Sequence, residues 1–147
     1  ANELGEGTIG DFAIGGKRYP GDTPVEARCR VKRVRDDGWI GRGGMKGGLE
    51  MNLGKIALLE TEPGGVKIVV ASKPSQTADS SIFYHLGEDA EKLPIIVVKS
   101  SVHFRADFTG LADTILVAVA PGPVAIDHTQ LDYRHVRAGM RLMPRGR

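Results

Sequence analysis

Residues 25–32 read Val25-Glu26-Ala27-Arg28-Cys29-Arg30-Val31-Lys32, and apolar and charged side chains alternate along them. Successive side chains of a β-strand point to opposite faces of the sheet. A period of two therefore predicts a strand with one face on a core and the other in water. Asp36-Asp37-Gly38 then predicts a turn, and Trp39-Ile40 is expected to begin the hairpin partner of this strand. Cys29 lies in the apolar series, so we interpret it as a small core residue.

Glycine and proline divide the rest of the chain into short pieces. There are 20 glycines and 8 prolines among 147 residues, which favours strands over long helices. Five glycines crowd residues 41–48, so the backbone there must turn tightly or approach another segment closely. Further strands are predicted at 55–60 and 66–72, joined by the turn Pro63-Gly64-Gly65. The first two thirds of the chain is thus expected to be mainly antiparallel β.

After residue 72 the pattern changes to mixed helix and strand. Asp79 is a candidate cap for a short helix that ends at Gly87. Ile95-Ile96-Val97-Val98 is a continuous β-branched run, typical of a strand buried on both faces. Phe104, Phe108 and Leu111 then form one helical stripe over about 102–112, and a second apolar strand is predicted at 114–118.

Strand, helix and strand in this order predict a right-handed βαβ unit. The expected fold class is therefore α+β, a mainly antiparallel β-sheet followed by a C-terminal βαβ unit. We find no internal repeat and no low-complexity linker, so one domain over residues 1–147 is the simplest interpretation.

Composition and charge exclude several classes of protein. The apolar fraction is 41% and the charged fraction 26%, both typical of soluble globular proteins. No apolar run approaches the roughly 18 residues that span a bilayer, so no membrane partner is expected. A single cysteine forms no internal disulfide, which favours a cytoplasmic protein. The opening residues 1–7 contain no methionine and no clear element, so we expect the natural chain to be longer.

The charge distribution does not indicate nucleic-acid binding. The formal net charge is only +2, although five arginines and no acid follow Asp132. A basic tail can bind phosphate groups, but a solvated or subunit-contacting terminus is the commoner explanation. We expect no nucleic-acid partner and leave a homo-oligomer open.

The strongest candidate site is Lys99-Ser100-Ser101, between the predicted strand and helix. Ligands of α/β units bind beyond the carboxyl ends of the strands. A helix N-terminus there presents N–H groups that favour an anion. The alternative is structural, with Ser101 as the helix N-cap and Lys99 as a surface charge.

Two groups of histidine and aspartate invite a metal assignment. His103 and Asp107 are spaced i, i+4 and form either a structural pair or half of a metal site, with His103 lining a site as the functional alternative. We favour the structural pair, because catalytic zinc usually takes three protein ligands. His128, Asp132 and His135 would share one face of a helix, but their segment has little apolar periodicity, and we assign no metal there.

Five short strings of residues give the chain a family resemblance. It resembles the C-terminal domain of the MlrC-like zinc metallopeptidases, the family of microcystinase C. The match runs almost end to end. Its most specific part is Lys99-Ser100-Ser101-Val102-His103-Phe104-Arg105. The other strings that carry it are Ile14-Gly15-Gly16-Lys17, Gly44-Met45-Lys46-Gly47-Gly48-Leu49, Asn52-Leu53-Gly54 and Tyr133-Arg134-His135-Val136-Arg137.

The resemblance implies a two-part zinc-dependent hydrolase. Its zinc ligands, histidines and an aspartate, are expected in an N-terminal metal-binding domain that this chain lacks, so no metal ligand is assigned here and the chain alone is expected to be inactive. That domain and a small peptide or amide substrate are the implied partners. Residues implied to line the substrate cleft are Lys99, Ser100, Ser101, His103 and Arg105. The alternative is a non-catalytic module that holds an anionic ligand or partner through the basic tail and the Lys99-Ser100 turn.

Overall fold

The structure is a computed structural model, and it describes residues 5–17, 23–119 and 127–143. The chain divides into two compact units, Ala1–Ile115 and Leu116–Arg147. All six described strands and both described α-helices lie in the first unit, and the second holds a 3₁₀ turn at His128–Gln130. No helix in the described ranges is both long and apolar enough to cross a membrane.

A four-stranded antiparallel sheet forms the centre of the first unit. Its strand order is β1-β2-β5-β6, with β1 at Ile9–Ile14, β2 at Val25–Arg35, β5 at Ile56–Thr61 and β6 at Lys67–Ala71. The predicted strands at 25–32, 55–60 and 66–72 are therefore confirmed, as is the antiparallel character. Strand β1 was not predicted, because its apolar residues are separated by small and charged ones.

An irregularity in β2 keeps its apolar side chains on one face. Val31 pairs with Leu59 and Arg33 pairs with Leu58, so one extra residue stands on β2 between these pairs. An extra residue shifts the side-chain phase of a strand by one position. Cys29, Val31 and Val34 consequently join the same apolar cluster despite their unequal spacing. Cys29 is fully buried, which confirms its interpretation as a core residue.

The hairpin partner predicted for β2 is wrong. Strand β3, Trp39–Ile40, pairs instead with β4, Glu50–Met51, in a separate two-stranded sheet. The two long edges of β2 are already occupied by β1 and β5, so no hydrogen-bonding edge is left for residues 39–40. The glycine-rich residues 41–48 therefore form the loop of a β3–β4 hairpin.

Strand β5 is buried on both faces and links two apolar clusters. Leu58 packs with residues of the first cluster, whose buried members also include Leu53 and Ile56. Leu59 packs with Cys29 and Val31 in the second. Helix α1, Ser81–His85, supplies Ile82 to the first cluster, and Leu86, just after the helix, also joins it. The sheet is thus covered on one side by α1 and the β3–β4 hairpin.

The predicted end of α1 at Gly87 is confirmed. Gly87 has φ of +82°, a conformation that costs glycine little and other residues much. Its N–H donates to the carbonyl of Tyr84 at 3.0 Å, and Glu88 N–H donates to Phe83 at 2.9 Å. These bonds satisfy carbonyl groups that the helix end would otherwise leave unpaired.

The α+β class is confirmed, but the βαβ unit within it is not formed. Neither 95–98 nor 114–118 is a strand. A strand needs a hydrogen-bonding neighbour, and the described residues provide none for these segments. The helix between them is also shorter than predicted: α2 spans Arg105–Phe108. Phe104 and Phe108 are buried and Leu111 is half-buried, as the apolar stripe predicted.

Candidate functional site

The glycine-rich loop 41–48 folds back on itself between β3 and β4. Gly41 N–H donates to Leu49 O at 2.9 Å, and Gly48 N–H donates back to Gly41 O at 3.0 Å. A Cβ placed on Gly41 would lie 2.3 Å from Lys46 O. Only glycine allows the two arms of the loop to approach this closely. The loop is therefore a compact hairpin tip rather than an open phosphate-binding turn.

The carboxylate of Asp79 fixes this loop to the start of α1. Its Oδ2 accepts hydrogen bonds from the N–H groups of Arg42 at 2.9 Å and Gly43 at 2.6 Å, while Oδ1 accepts from Ser81 N–H at 2.7 Å. Burial alone would raise the pKa of Asp79, but the hydrogen bonds from Ser81, Gly43 and Arg42 outweigh it and the pKa lies below its ordinary value. Asp79 was predicted only as a helix cap, and its bonds to the loop were missed.

Asp107 on α2 holds the 99–108 segment against the same loop. Its Oδ2 accepts a hydrogen bond from Ser80 N–H at 2.6 Å. A Cβ placed on Gly43 would lie 2.6 Å from Asp107 Oδ1, and one on Gly44 would lie 3.0 Å from Ala106 O. The glycine-rich loop therefore lies against residues 106 and 107, which directly follow the Lys99–Arg105 string.

The predicted pair of His103 and Asp107 is not formed. His103 lies before α2, so the two residues do not share a helical face. The Nδ1 atom of His103 contacts Oε1 of Gln76 instead, while Asp107 binds Ser80. The interpretation of these two residues as a structural pair is therefore wrong.

Most residues of the Lys99–Arg105 string lie at the surface. Ser100 is half-buried, and its Oγ accepts a hydrogen bond from Phe104 N–H at 3.3 Å. The N-cap role predicted for Ser101 is wrong, because the N-cap of α2 is Phe104 and no side chain caps the helix; Ser101 is exposed along with Lys99. The guanidinium of Arg105 lies 5.1 Å from the centre of the Phe104 ring, a cation–π distance. The string is anchored through Ser100 and Phe104 and exposes its other polar side chains.

A small depression lies beside this string. Its lining includes Trp39, Lys46, Leu53 and Gln76. Gln76 is the residue that His103 contacts, so the histidine stands at the border of the depression. Lys46 and Gln76 were not predicted as site residues, although Lys46 lies in the Gly44–Leu49 motif; no local pattern in the sequence marks Gln76.

The sequence of this chain matches a known protein family. The sequence model of the family described as MlrC C-terminus matches residues 1–135. The chain belongs to this family. No curated protein sequence matches it.

A solved structure shares the fold of this MlrC C-terminal domain. It is the crystal structure of a candidate metallopeptidase from Mesorhizobium sp. BNC1, with a TM-score of 0.69 and 23% sequence identity. The match covers 78% of this chain but only 23% of that one, so the domain corresponds to about a quarter of the longer protein.

The second histidine group of the MlrC C-terminal domain does not assemble. His128 lies in the 3₁₀ turn, where Asp127 Oδ1 accepts from Thr129 N–H at 2.9 Å. Asp132 lies 3.9 Å from the side chain of Arg134. Across residues 5–17, 23–119 and 127–143, no three histidine, cysteine or acidic side chains are grouped to hold a metal ion. These residues therefore do not fit a zinc site.

A half-buried histidine of the MlrC C-terminal domain, His85, was not predicted as a notable residue. The His85 ring stacks on Trp39 with centroids 4.7 Å apart, and Trp39 Nε1–H donates to Ser81 Oγ at 2.8 Å. His85 Nε2 lies 3.6 Å from Asp37 Oδ1, beyond hydrogen-bond distance. These contacts attach the β3–β4 hairpin to α1.

Proposed function

We propose that this chain is the C-terminal domain of a zinc-dependent peptidase or amidohydrolase. In this proposal it forms one wall of the cleft in which a peptide or amide bond is hydrolysed. Membership of the MlrC C-terminus family supports the proposal, as does the fold shared with a candidate metallopeptidase. The single buried cysteine suits a reducing cytoplasm.

The metal belongs to another part of the polypeptide in this proposal. The described residues include no set of three grouped ligands, whereas catalytic zinc usually takes three protein ligands. We therefore assign zinc to an N-terminal metal-binding domain and assign no step through it to these residues. Their role is to bind and orient the substrate.

The observation that carries the proposal is the anchored but exposed string at 99–105. Within the string, Ser100 Oγ accepts a hydrogen bond from Phe104 N–H at 3.3 Å, and Asp107, two residues beyond it, accepts one from Ser80 N–H at 2.6 Å. Lys99, His103 and Arg105 remain exposed. Polar side chains on a rigid support can orient a substrate and stabilise developing negative charge without reorganising during the reaction.

A binding module for an anionic ligand is the second candidate. Neither 41–46 nor 99–106 contains an acidic residue, while Lys46, Lys99 and Arg105 are cationic. The nearby carboxylates of Asp79 and Asp107 accept backbone hydrogen bonds, so the exposed charge here is positive. The same side chains would serve either a substrate or a non-catalytic ligand.

A comparison of two neighbouring residues tests the proposed function in the full-length polypeptide. His103→Ala should lower kcat/KM for short peptides or amides by about 10- to 1,000-fold while leaving the melting temperature unchanged. Phe104→Ala should instead cost about 3–5 kcal/mol of stability, because its ring is buried. Amine release and thermal melting measure the two effects.

His128→Ala is the matched control, since this histidine is also exposed but lies outside the string. It should change neither rate nor stability. A soundly folded His103→Ala protein with an unchanged rate would contradict the cleft role. A full-length protein that binds anions but hydrolyses no peptide or amide would favour the binding module.

A further inference from the structure

Alternate apolar side chains of residues 95–98 are exposed to solvent. Ile95 is 80% exposed and Val97 90% exposed, whereas Ile96 and Val98 are half-buried. Burial with a period of two is what an extended segment gives when one face lies on the protein and the other is open. Single exposed apolar residues are ordinary, but a β-branched run that favours two-sided burial is not.

The backbone of this run is open as well. Among the described residues, no backbone hydrogen bond joins 95–98 to another segment, and no strand pairs with it. Unpaired N–H and C=O groups in extended backbone are the feature to which an added β-strand binds. Residues 95–98 therefore have both the side chains and the backbone groups of an incomplete sheet edge.

Residues 95–98 lack the features that keep solvent-exposed edge strands from pairing with other strands. Native edge strands are kept apart by charged residues or proline within the strand. Here Pro94 and Lys99 flank the run, and only isoleucine and valine lie between them. An edge of this composition is suited to being covered.

We infer that residues 95–98 are the docking edge for a β-strand from the metal-binding domain of the same polypeptide. The inference rests on the proposed function, which supplies that domain. The MlrC family match includes the run, and the Mesorhizobium protein that shares this fold extends far beyond it, with only 23% of that chain matched. The added strand presents apolar side chains to Ile95 and Val97 and pairs with the free backbone groups.

This docking accounts for the position of the candidate site. Lys99-Ser100-Ser101 continues directly from the run, so a strand added to 95–98 brings these residues to the boundary between the domains. The exposed polar string then faces a cleft whose other wall is the metal-binding domain. Neither the string nor the metal site is complete without the other domain.

Hydrogen–deuterium exchange tests the docking edge. The amides of 95–98 should exchange about tenfold or more slowly in the full-length polypeptide than in the 147-residue chain. The amides of β5 should be protected in both proteins, which checks that the chain is folded. Equally fast exchange of 95–98 in both proteins would overturn the inference. Protection that appears in the 147-residue chain as its concentration rises would also overturn it, because a second copy would then cover the edge.

A charged substitution gives a second readout that does not need the isolated chain to fold. Val97→Lys in the full-length polypeptide should restore fast exchange at residues 95–98 and leave β5 protected. Val66→Lys, at a valine 60% exposed beside the β5–β6 turn, is the matched control and should leave 95–98 protected. Continued protection in Val97→Lys would contradict the inference. Exchange is measured without substrate or turnover, so the two proposals can fail separately. If the protein hydrolyses peptides while residues 95–98 are unprotected, only the docking edge is refuted. If residues 95–98 are protected but the protein is inactive, only the proposed function is refuted.

Discussion

Two aspartates hold the candidate site together at the residue scale. Asp79 accepts three backbone hydrogen bonds that join residues 42–43 to α1. Asp107 accepts one that joins α2 to Ser80. For Asp79, these bonds stabilise the charged carboxylate and lower its pKa. These two side chains are therefore structural acceptors, and they leave the neighbouring cations exposed.

The lowered pKa of Asp79 predicts a pH dependence of stability. Because the folded pKa lies below the unfolded value, the stabilisation is complete above the ordinary pKa of about 3.9 and is lost as the pH falls through the folded value. Asp79→Asn should cost about 1–3 kcal/mol at neutral pH, since it weakens bonds to buried donors. Its deficit relative to the unmodified chain should shrink below about pH 4.

Urea unfolding at several pH values measures this difference. Asp113→Asn, which removes an exposed carboxylate, is the control and should show neither the cost nor its pH dependence. A deficit for Asp79→Asn that stays constant down to pH 2 would contradict the assignment of the hydrogen bonds to the charged carboxylate.

At the element scale, the β3–β4 loop packs against α2 at two glycines. Gly43 lies against Asp107, and Gly44 against the backbone of Ala106. Asp107 cannot move away freely, because its Oδ2 is bound to Ser80 N–H. The absence of side chains at Gly43 and Gly44 is therefore what allows these two distant elements to pack.

Gly43→Ala should separate these two elements. The new Cβ would lie 2.6 Å from Asp107 Oδ1, so the chain must shift, at a cost of about 1–3 kcal/mol. Gly110→Ala should be neutral or stabilise by up to about 1 kcal/mol, since a Cβ there meets nothing within 4 Å. Thermal melting of the two alanine variants gives the comparison. Equal stability would show that the loop and α2 are not packed as described.

At the scale of the whole molecule, the described part of the domain has a buried core and an exposed candidate site. Its best-buried residues lie in the antiparallel sheet and on α1. Its candidate site is a surface patch rather than an enclosed cleft. An enclosed active site would need further walls, which the proposed function assigns to the metal-binding domain.

The metal content of the 147-residue chain is predicted to be well below one zinc per chain after dialysis. The described residues contain no group of three suitable ligands, and two ligands do not usually hold zinc tightly. The full-length polypeptide should retain zinc under the same conditions. Elemental analysis of both proteins gives the comparison. One tightly bound zinc in the 147-residue chain, lost in His103→Ala or His128→Ala, would contradict the prediction.

The sequence by itself determined the antiparallel strands around Cys29, the helix end at Gly87, the burial of Phe104 and Phe108, and the family. These features are local, because the period of apolar residues and the φ of a glycine depend on near neighbours along the chain. Only the tertiary structure decided that β3 pairs with β4, that Asp79 binds Gly43 and that His103 contacts Gln76 rather than Asp107. Those partners are far apart in sequence, and hydrogen bonds between them depend on how the intervening chain closes. For residues 95–98, the sequence composition predicts a buried strand. Whether that strand forms is decided by the tertiary structure, because a strand forms only where a neighbouring strand is present.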